Sequence, residues 1–471
     1  MHTFPVLLSR LVAACLLAGF AAGCSKKPGA ANYEESAKKY FEKGELEKAK
    51  IEYMNLLRVD KANATAMRRL GQIWMAQGGP LRAMPYLQEA VKLVPADAPL
   101  RKQLMDAWIE LGGVQEARDE AVEILKIAPD NGEALIVLAE SAVDEEEFTA
   151  ARDSIAKFPA KDSAAIHVAE ASLCLQQDNK AGAKEALAKA VALEPKSTAA
   201  MLVAGNLLLK DNDVAGAEAK FKELAEASPA RSLHRLRYAE YVSRHQSSEA
   251  KKQASELVEK LVSEAPDYLP ALTLSAQLTL ARQKAREGIA ILEKVFAIDN
   301  GNPPARMVQA RLWMALGEPQ KAIEGLEGML LHNPENLSAK FQLALACVQN
   351  ANTAKAMLVL ETILKDNPGF GDALLLLAEL NLRSGEPEAV VSLVTALLKE
   401  RPGHPLAAYL LAGAYQALKK TDEAAKLMEE MVKANPKDPR PRFRLGEIYR
   451  FAGRVADARS VFEQALTIFP G

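Results

Sequence analysis

The sequence predicts an all-α solenoid built from paired antiparallel helices. Three observations predict this fold. From Ala30 onward the chain divides into thirteen units, most of them 34 residues long. Ten of the thirteen units close on a proline, which cannot continue a helix. Nearly every unit carries Gly or Ala at two fixed positions, one in each predicted helix, where bulky side chains would hold the two helices apart.

The first 23 residues follow a different pattern, that of a secretory signal. Arg10 precedes an apolar run, 11–23, which is too short to span a bilayer and has the length of a signal-peptide core. The run ends Phe-Ala-Ala-Gly before Cys24, which resembles a bacterial lipoprotein cleavage box and implies a diacylglycerol on that thiol. A second box ends at Cys15, but cleavage there leaves almost no apolar segment after Arg10. The alternative is ordinary secretion with an unmodified thiol.

Residues 24–29 form a short tether between the predicted lipid and the first helix. At roughly 3.5 Å per residue this tether spans no more than about 20 Å, so we expect the solenoid to start near the headgroups. Ser25 follows the cysteine. A serine at this position, rather than an aspartate, resembles Gram-negative lipoproteins that are exported to the outer membrane. The resemblance implies attachment to that membrane, facing the periplasm. Lys26 and Lys27 either rest on anionic lipid or are solvated.

The solenoid is predicted to occupy residues 30–471 as thirteen repeats. Two are irregular: 132–163 loses two residues after Phe158, and 232–268 gains three near Ser247. Residues that favour a left-handed backbone mark the turn inside many repeats. The repeats are predicted to begin at positions 30, 64, 98, 132, 164, 198, 232, 269, 303, 337, 371, 405 and 439. The turn residues are Gly44, Gly78, Gly112, Asn212, Gly317, Gly385 and Gly453.

The pattern resembles the tetratricopeptide repeat, a family of helix-turn-helix units with small residues at the crossing and proline at the end. The last repeat carries it most plainly, with Arg442, Leu445, Gly446, Tyr449, Ala458, Phe462, Ala465 and Pro470. The resemblance implies stacking of each repeat on its neighbours and a role in binding other proteins. Trp74, Trp108 and Trp313 fall at core positions of the repeat and are predicted to pack in the core.

In this family the first helix of each repeat lines the concave groove, with its fifth and twelfth residues pointing inward. Here both rows are largely apolar, and Phe341 and Tyr409 are candidate partner-binding residues. The ninth residues between the rows are mostly polar, as Asp106, Glu140 and Arg311 are. Such a groove suits a helix or an extended peptide. The alternative is that half of these side chains pack between neighbouring helices.

A basic and aromatic face in the last repeat is a sharper candidate for partner binding. Arg440 and Arg444 lie four residues apart, with Phe443 beside them and Arg450 further along. The pair resembles the last basic pair of the clamp with which chaperone-binding members hold a terminal carboxylate, but the other clamp positions are not matched. The alternative is a solvated charged face. A second basic cluster, open to the same alternative, comprises Arg231, His234, Arg235, Arg237, Arg244 and His245.

Nothing in the sequence indicates catalysis, so the protein is predicted not to be an enzyme and to need no cofactor. None of the six histidines has a second ligand at metal-binding spacing, which argues against a metal site. The net charge of −2 offers no basic excess for nucleic acid. Cys174 and Cys347 lie five repeats apart, and because such repeats are expected to contact only their neighbours, no disulfide is expected.

The sequence therefore predicts a lipid-anchored periplasmic scaffold that binds proteins, in envelope assembly, secretion or exopolysaccharide export. The alternative is a glycan-binding module of the cell envelope. The last predicted helix carries apolar residues such as Leu466 and is followed by no capping helix in the sequence. A partner or a second copy of the chain is expected to cover it, with the basic face nearby contributing.

Overall fold

The computed structural model describes residues 29–245 and 247–468; the predicted signal peptide and Cys24 lie outside these ranges. The described residues form 26 α-helices and no strand. They divide into two compact units, one ending at Ser275 and the other beginning at Ala276, and each is an all-helical solenoid. None of the described helices is long and apolar enough to cross a membrane.

In unit 1, odd-numbered helices are the first helices of the repeats and even-numbered helices are the second. Helix α15 contains the boundary between the units. The helices are α1 Ala30–Glu42, α2 Leu46–Val59, α3 Ala64–Ala76, α4 Pro80–Leu93, α5 Ala98–Leu111, α6 Val114–Ile127, α7 Gly132–Glu140, α8 Glu145–Lys157, α9 Ala164–Gln176, α10 Lys180–Leu193, α11 Thr198–Lys210, α12 Val214–Ala227, α13 Leu233–Ser243, α14 Ser248–Glu264 and α15 Leu269–Ala281.

Unit 2 continues the same alternation of first and second helices. Its helices are α16 Ala285–Ile298, α17 Pro303–Ala315, α18 Pro319–His332, α19 Leu337–Gln349, α20 Thr353–Asp366, α21 Gly371–Ser384, α22 Pro387–Glu400, α23 Pro405–Ala417, α24 Thr421–Ala434, α25 Arg440–Phe451 and α26 Val455–Ile468.

The first helices start where the repeat pattern places them. Eleven begin at the predicted first residue of a repeat, and α13 and α25 begin one residue later, after Ser232 and Pro439. Polar side chains commonly cap these starts; Asn63, for example, accepts a hydrogen bond of 2.9 Å from the Ala66 amide. The repeat period thus translates directly into helix boundaries.

The turn between the two helices uses a left-handed residue in eleven of the thirteen repeats. All seven turn residues named from the sequence have positive φ, as do Asp178, Gln283, Ala351 and Lys419, which the pattern did not single out. Among the described residues, the two repeats without such a turn are the irregular ones, 132–163 and 232–268. In 232–268 the turn includes residue 246, which lies outside the described residues.

In 132–163 the first helix, α7, has nine residues instead of the usual thirteen. Val143, which the repeat pattern placed on the groove face of that helix, therefore lies in the loop after it and is 76% exposed. In 232–268 the extra residues lengthen the second helix, because α14 has 17 residues instead of 14. The sequence located both irregular repeats, but not the helix that absorbs each change.

The small residues at the helix crossing are required by close packing. A Cβ added to Gly446 would lie 2.5 Å from the nearest atom of the Phe462 ring, and one added to Gly205 would lie even closer to the Phe221 ring. Both distances are well inside van der Waals contact, so α25 and α26, like α11 and α12, approach closely only with glycine there. Trp74 is buried, and Trp108 and Trp313 pack against the core clusters as predicted.

Candidate functional site

The fifth and twelfth residues of the first helices differ in exposure. At the fifth position, Val168, Leu236 and Leu375 are buried. At the twelfth, Ile109 and Leu209 are among the exposed large apolar residues of unit 1. The fifth row therefore contributes mainly to packing, and the twelfth row supplies more of the apolar surface available to a partner.

Phe341 and Tyr409, the two aromatic candidates in the fifth row, are both partly buried in unit 2. The Phe341 ring meets Phe370 edge to face, with centroids 5.4 Å apart. Burial raises the pKa of the Tyr409 hydroxyl; Asp438 adds to this, and Arg440 and Arg444 oppose it. Tyr409 on α23 thus shares its surroundings with the basic face of α25.

The four candidate residues of the basic face already have partners within the chain. Arg440 pairs with Asp438 at 2.8 Å, and Arg444 pairs with Glu447 at 3.0 Å. The Arg450 guanidinium lies over the Phe451 ring, 4.6 Å from its centroid, and Phe443 lies beside Phe462 on α26. The structure brings Arg440 and Arg444 toward Tyr409, whereas Arg450 and Phe443 have separate neighbours.

Arg311 on α17 is different, because its guanidinium has no partner among the described residues. Its Nε is buried without a hydrogen bond, and among the described residues no carboxylate lies within ion-pair distance of it. Burial is the cause of its lowered pKa. On α19, the side-chain oxygen of Gln342 is likewise buried without a donor. Sequence reasoning placed Arg311 among the polar residues of the groove but gave no sign that it would be unpaired.

The polar ninth residues of unit 1 lie in poorly hydrated surroundings. Burial raises the pKa of Glu140 to about 7, opposed by a long hydrogen bond from the Ser172 hydroxyl at 3.5 Å. Glu110, a neighbour of this row, also has its pKa raised to about 7 by burial and by Asp106, with Arg237 opposing. These carboxyl groups are partly protonated near neutral pH.

Distant repeats of unit 1 are also in direct contact. The Leu269 amide donates to the Gln77 carbonyl at 2.9 Å, and Arg231 donates to the Ala76 carbonyl at 2.7 Å. A Cβ on Gly78 would lie 2.6 Å from the Tyr268 ring. We call this the closing contact of unit 1. The expectation that repeats contact only their neighbours is therefore wrong here, because the end of α3 meets the segment that begins α15.

The closing contact encloses charged groups of several helices in one interior. Both Glu110 on α5 and Glu240 on α13 raise the pKa of the buried Tyr268 hydroxyl, after burial itself. The Gln77 side chain is fully buried and donates to Glu47 on α2 at 2.7 Å. Nothing in the repeat pattern indicates this contact, because its partners are some 190 residues apart in the sequence.

Two arginines of the second basic cluster are engaged in structural ion pairs. Arg231 pairs with Asp267 at 2.5 Å, and Arg235 pairs with Glu264 at 2.6 Å. Burial lowers the pKa of His234, with Arg237 adding to the effect. These arginines hold the α13 region against the end of α14, which favours a structural role for them.

The described cysteines are unpaired, and the described residues hold no metal-binding cluster. Cys174 and Cys347 are free thiols, and burial raises the pKa of each. Within residues 29–245 and 247–468 no group of His, Cys, Asp and Glu side chains is placed to hold a metal ion. The lipid-attachment candidate Cys24 lies outside the described residues.

Fold and repeat pattern together define an all-α solenoid protein built from helix-turn-helix repeats. Two family models described as tetratricopeptide repeat match the sequence, together over more than half of the chain, so the chain belongs to this family. One matches residues 35–98 and 168–232. The other matches 279–346, 314–380, 348–414, 382–442 and 415–471.

Solved structures of similar fold share little sequence with the chain. The crystal structure of the APC/C hetero-tetramer Cut9-Hcn1 has a TM-score of 0.42 and 15% identity, covering 94% of each chain. Yeast Tom70 has a TM-score of 0.38 and 14% identity, covering 93% of this chain and 92% of that one. MamA from Desulfovibrio magneticus RS-1 has a TM-score of 0.32 and 18% identity, covering 34% of this chain and 90% of that one. No curated protein sequence matches the chain.

Proposed function

We propose that the protein is a lipid-anchored scaffold of the periplasm that binds protein partners through the first-helix face of its repeats. The observation that carries this proposal is membership of the tetratricopeptide repeat family, whose repeats are protein-interaction scaffolds. The lipoprotein box at Cys24 supports the anchor. The role we assign is in envelope assembly, secretion or exopolysaccharide export, and it is not catalytic.

The surface chemistry favours a peptide or protein over a glycan as the partner. Exposed apolar side chains such as Ile109 and Leu209 recur at the twelfth position, where an apolar guest would cover them. Phe341 and Tyr409, the aromatic residues that would stack on sugars, are partly buried against the chain's own side chains. Retention of the protein on a polysaccharide column with no protein partner present would support a glycan-binding module instead.

The anchor is tested by exchanging each candidate cysteine. Cys24→Ala should abolish incorporation of an alkyne-labelled fatty acid and move the protein from the membrane fraction to the soluble fraction, because the thiol that carries the lipid is gone. Cys15→Ala is the matched control, since it alters the other cleavage box and should leave labelling intact. Labelling that survives Cys24→Ala would refute Cys24 as the lipid-attachment residue, and a wild-type chain that takes up no label would refute the lipid anchor itself.

A further inference from the structure

Among the described residues, Arg311 has no ion-pair partner, unlike the carboxylates at the ninth positions of unit 2. The ninth-position carboxylates of unit 2 have partners one turn away: Arg383 lies 2.5 Å from Glu379, and Arg444 lies 3.0 Å from Glu447. Arg311 is the one basic residue at a ninth position in this unit, and it has no such partner among the described residues.

The surroundings of Arg311 are apolar. Met307 and Met314 lie four residues before it and three after it, so all three share one face of α17. Both methionines are partly buried and pack against the same core cluster as Phe341 and Val348 on α19. Helix α19 is held to this end of α17 by a hydrogen bond of 2.8 Å from the Gln349 side chain to the Met314 carbonyl. Methionine side chains adapt readily to different apolar guests.

A buried cation without a counter-ion is costly to the folded protein. An ion that loses hydration and gains no partner destabilises the folded state, so the missing partner of this group requires an explanation. The Nε of Arg311 is buried, whereas its two terminal nitrogens are not among the buried unsatisfied atoms. The inner part of the guanidinium is therefore desolvated, while its tip is still reachable from outside.

We propose that Arg311 is the charge anchor for an acidic side chain within an extended peptide, whose flanking apolar residues pack on Met307 and Met314. This inference rests on the proposed protein-binding function and specifies its ligand. A carboxylate would supply the missing counter-ion and form charge-assisted hydrogen bonds with the guanidinium. The occupant we infer is an internal Asp or Glu rather than a free carboxyl terminus, because apolar residues lie on both sides of Arg311 along the helix face.

The test uses a library of random dodecapeptides displayed with their carboxyl ends fused to the carrier, so that no free terminal carboxylate is present. The full chain, purified in detergent, should select peptides with one acidic residue between apolar residues. Arg311→Met should weaken binding of these peptides by roughly tenfold to a hundredfold. Arg311→Lys should retain part of the selection, because the charge remains.

Arg383→Met is the control, since the Arg383 side chain already pairs with Glu379 and should not affect selection. A second measurement excludes a purely structural role for Arg311. Methionine keeps the apolar stem and removes the unpaired charge, so Arg311→Met should unfold at an equal or higher urea concentration than the wild type.

The other possible outcomes contradict either the inference about Arg311 alone or the proposed protein-binding function as well. Selected peptides without an acidic residue, or equal binding to wild type and Arg311→Met, would overturn the inference and leave the protein-binding function standing. A clear loss of stability in Arg311→Met would show that the guanidinium serves the fold, and would also overturn it. If neither this library nor one displayed with free carboxyl termini yields a binder, the proposed function fails together with the inference. Binders from the free-terminus library alone would replace the internal acid with a terminal carboxylate.

Discussion

Glu140 and Glu110 show how far the interior of unit 1 changes an ordinary side chain. Each has a carboxyl pKa of about 7 instead of the usual 4.5, mainly because burial penalises the charged form. Between pH 4.5 and about pH 7, the folded protein keeps protons on these carboxyl groups that the unfolded chain releases. The stability contributed by these groups therefore falls as the pH rises through that window.

This gives a pH-dependent prediction for Glu140. Glu140→Gln should raise the free energy of unfolding near pH 8 by up to about 3 kcal/mol, because the neutral amide avoids burying a charge. At about pH 5 the two proteins should be nearly equal, since the carboxyl group is then protonated in the folded state. Urea unfolding at a series of pH values measures both quantities.

The control for Glu140 is Glu185→Gln on α10. Glu185 is exposed, and its hydrogen bond and charge interaction with Lys189 lower its pKa. Its replacement should not stabilise the protein at any pH. A Glu140→Gln variant whose stability follows the wild type from pH 5 to pH 8 would show that the carboxyl group is well hydrated in the folded protein.

At the scale of helices and turns, the repeat pattern accounts for nearly all boundaries but not for long-range contacts. Gly78 and Gly112 have the same local role, with φ of 71° and 78° at the turn inside their repeats. Yet nothing lies within 4 Å of a Cβ added to Gly112, whereas one added to Gly78 would overlap Pro270 and the Tyr268 ring. The difference comes entirely from the closing contact.

The two glycines therefore make a matched pair of variants. Gly112→Ala should lower the free energy of unfolding by about 1–2 kcal/mol, because alanine is strained in the left-handed conformation. Gly78→Ala should carry the same backbone strain. In addition, its methyl group should separate α3 from the segment that begins α15, because it would overlap Pro270 and the Tyr268 ring. Hydrogen exchange of the Leu269 amide, which donates to Gln77, measures that separation.

Fast exchange at Leu269 is expected in Gly78→Ala and not in Gly112→Ala. Equal exchange at this amide in both variants, together with equal stability, would mean that the closing contact does not persist in solution.

At the scale of the whole molecule, the chain combines one repeat type with two compact units, each with its own hydrophobic clusters. In unit 2, Ala322 on α18 is completely buried and belongs to a cluster that also includes Leu326 and Leu343. Because repeats are stabilised chiefly by themselves and their neighbours, damage at one repeat should stay near it.

Ala322→Leu should overpack this cluster and cost roughly 1–3 kcal/mol. Hydrogen exchange followed by mass spectrometry should show the first loss of protection around α17–α20. Gly325→Leu is the control on the same helix, because a Cβ there would meet nothing within 4 Å. Loss of protection spread evenly from α1 to α26 would contradict local transmission of damage between repeats.

The sequence alone determined the fold class, because a helical repeat is encoded locally. Each small crossing residue, turn residue and closing proline acts within its own 34-residue unit, so the period specified the helix starts almost to the residue. It also identified the repeats of irregular length. It did not show that α7 shortens or that α14 lengthens, since either helix of a pair can absorb a change in length.

Only the tertiary structure decided which groove side chains are packed, paired or left without a partner. The charge state of Glu140, the missing partner of Arg311 and the contact of Gln77 with Leu269 depend on which atoms meet across distant turns of the chain. Burial and pairing are properties of that three-dimensional environment. A repeat motif constrains each unit's own helices and their immediate neighbours. It therefore carries no information about contacts between residues that are several repeats apart, such as the closing contact.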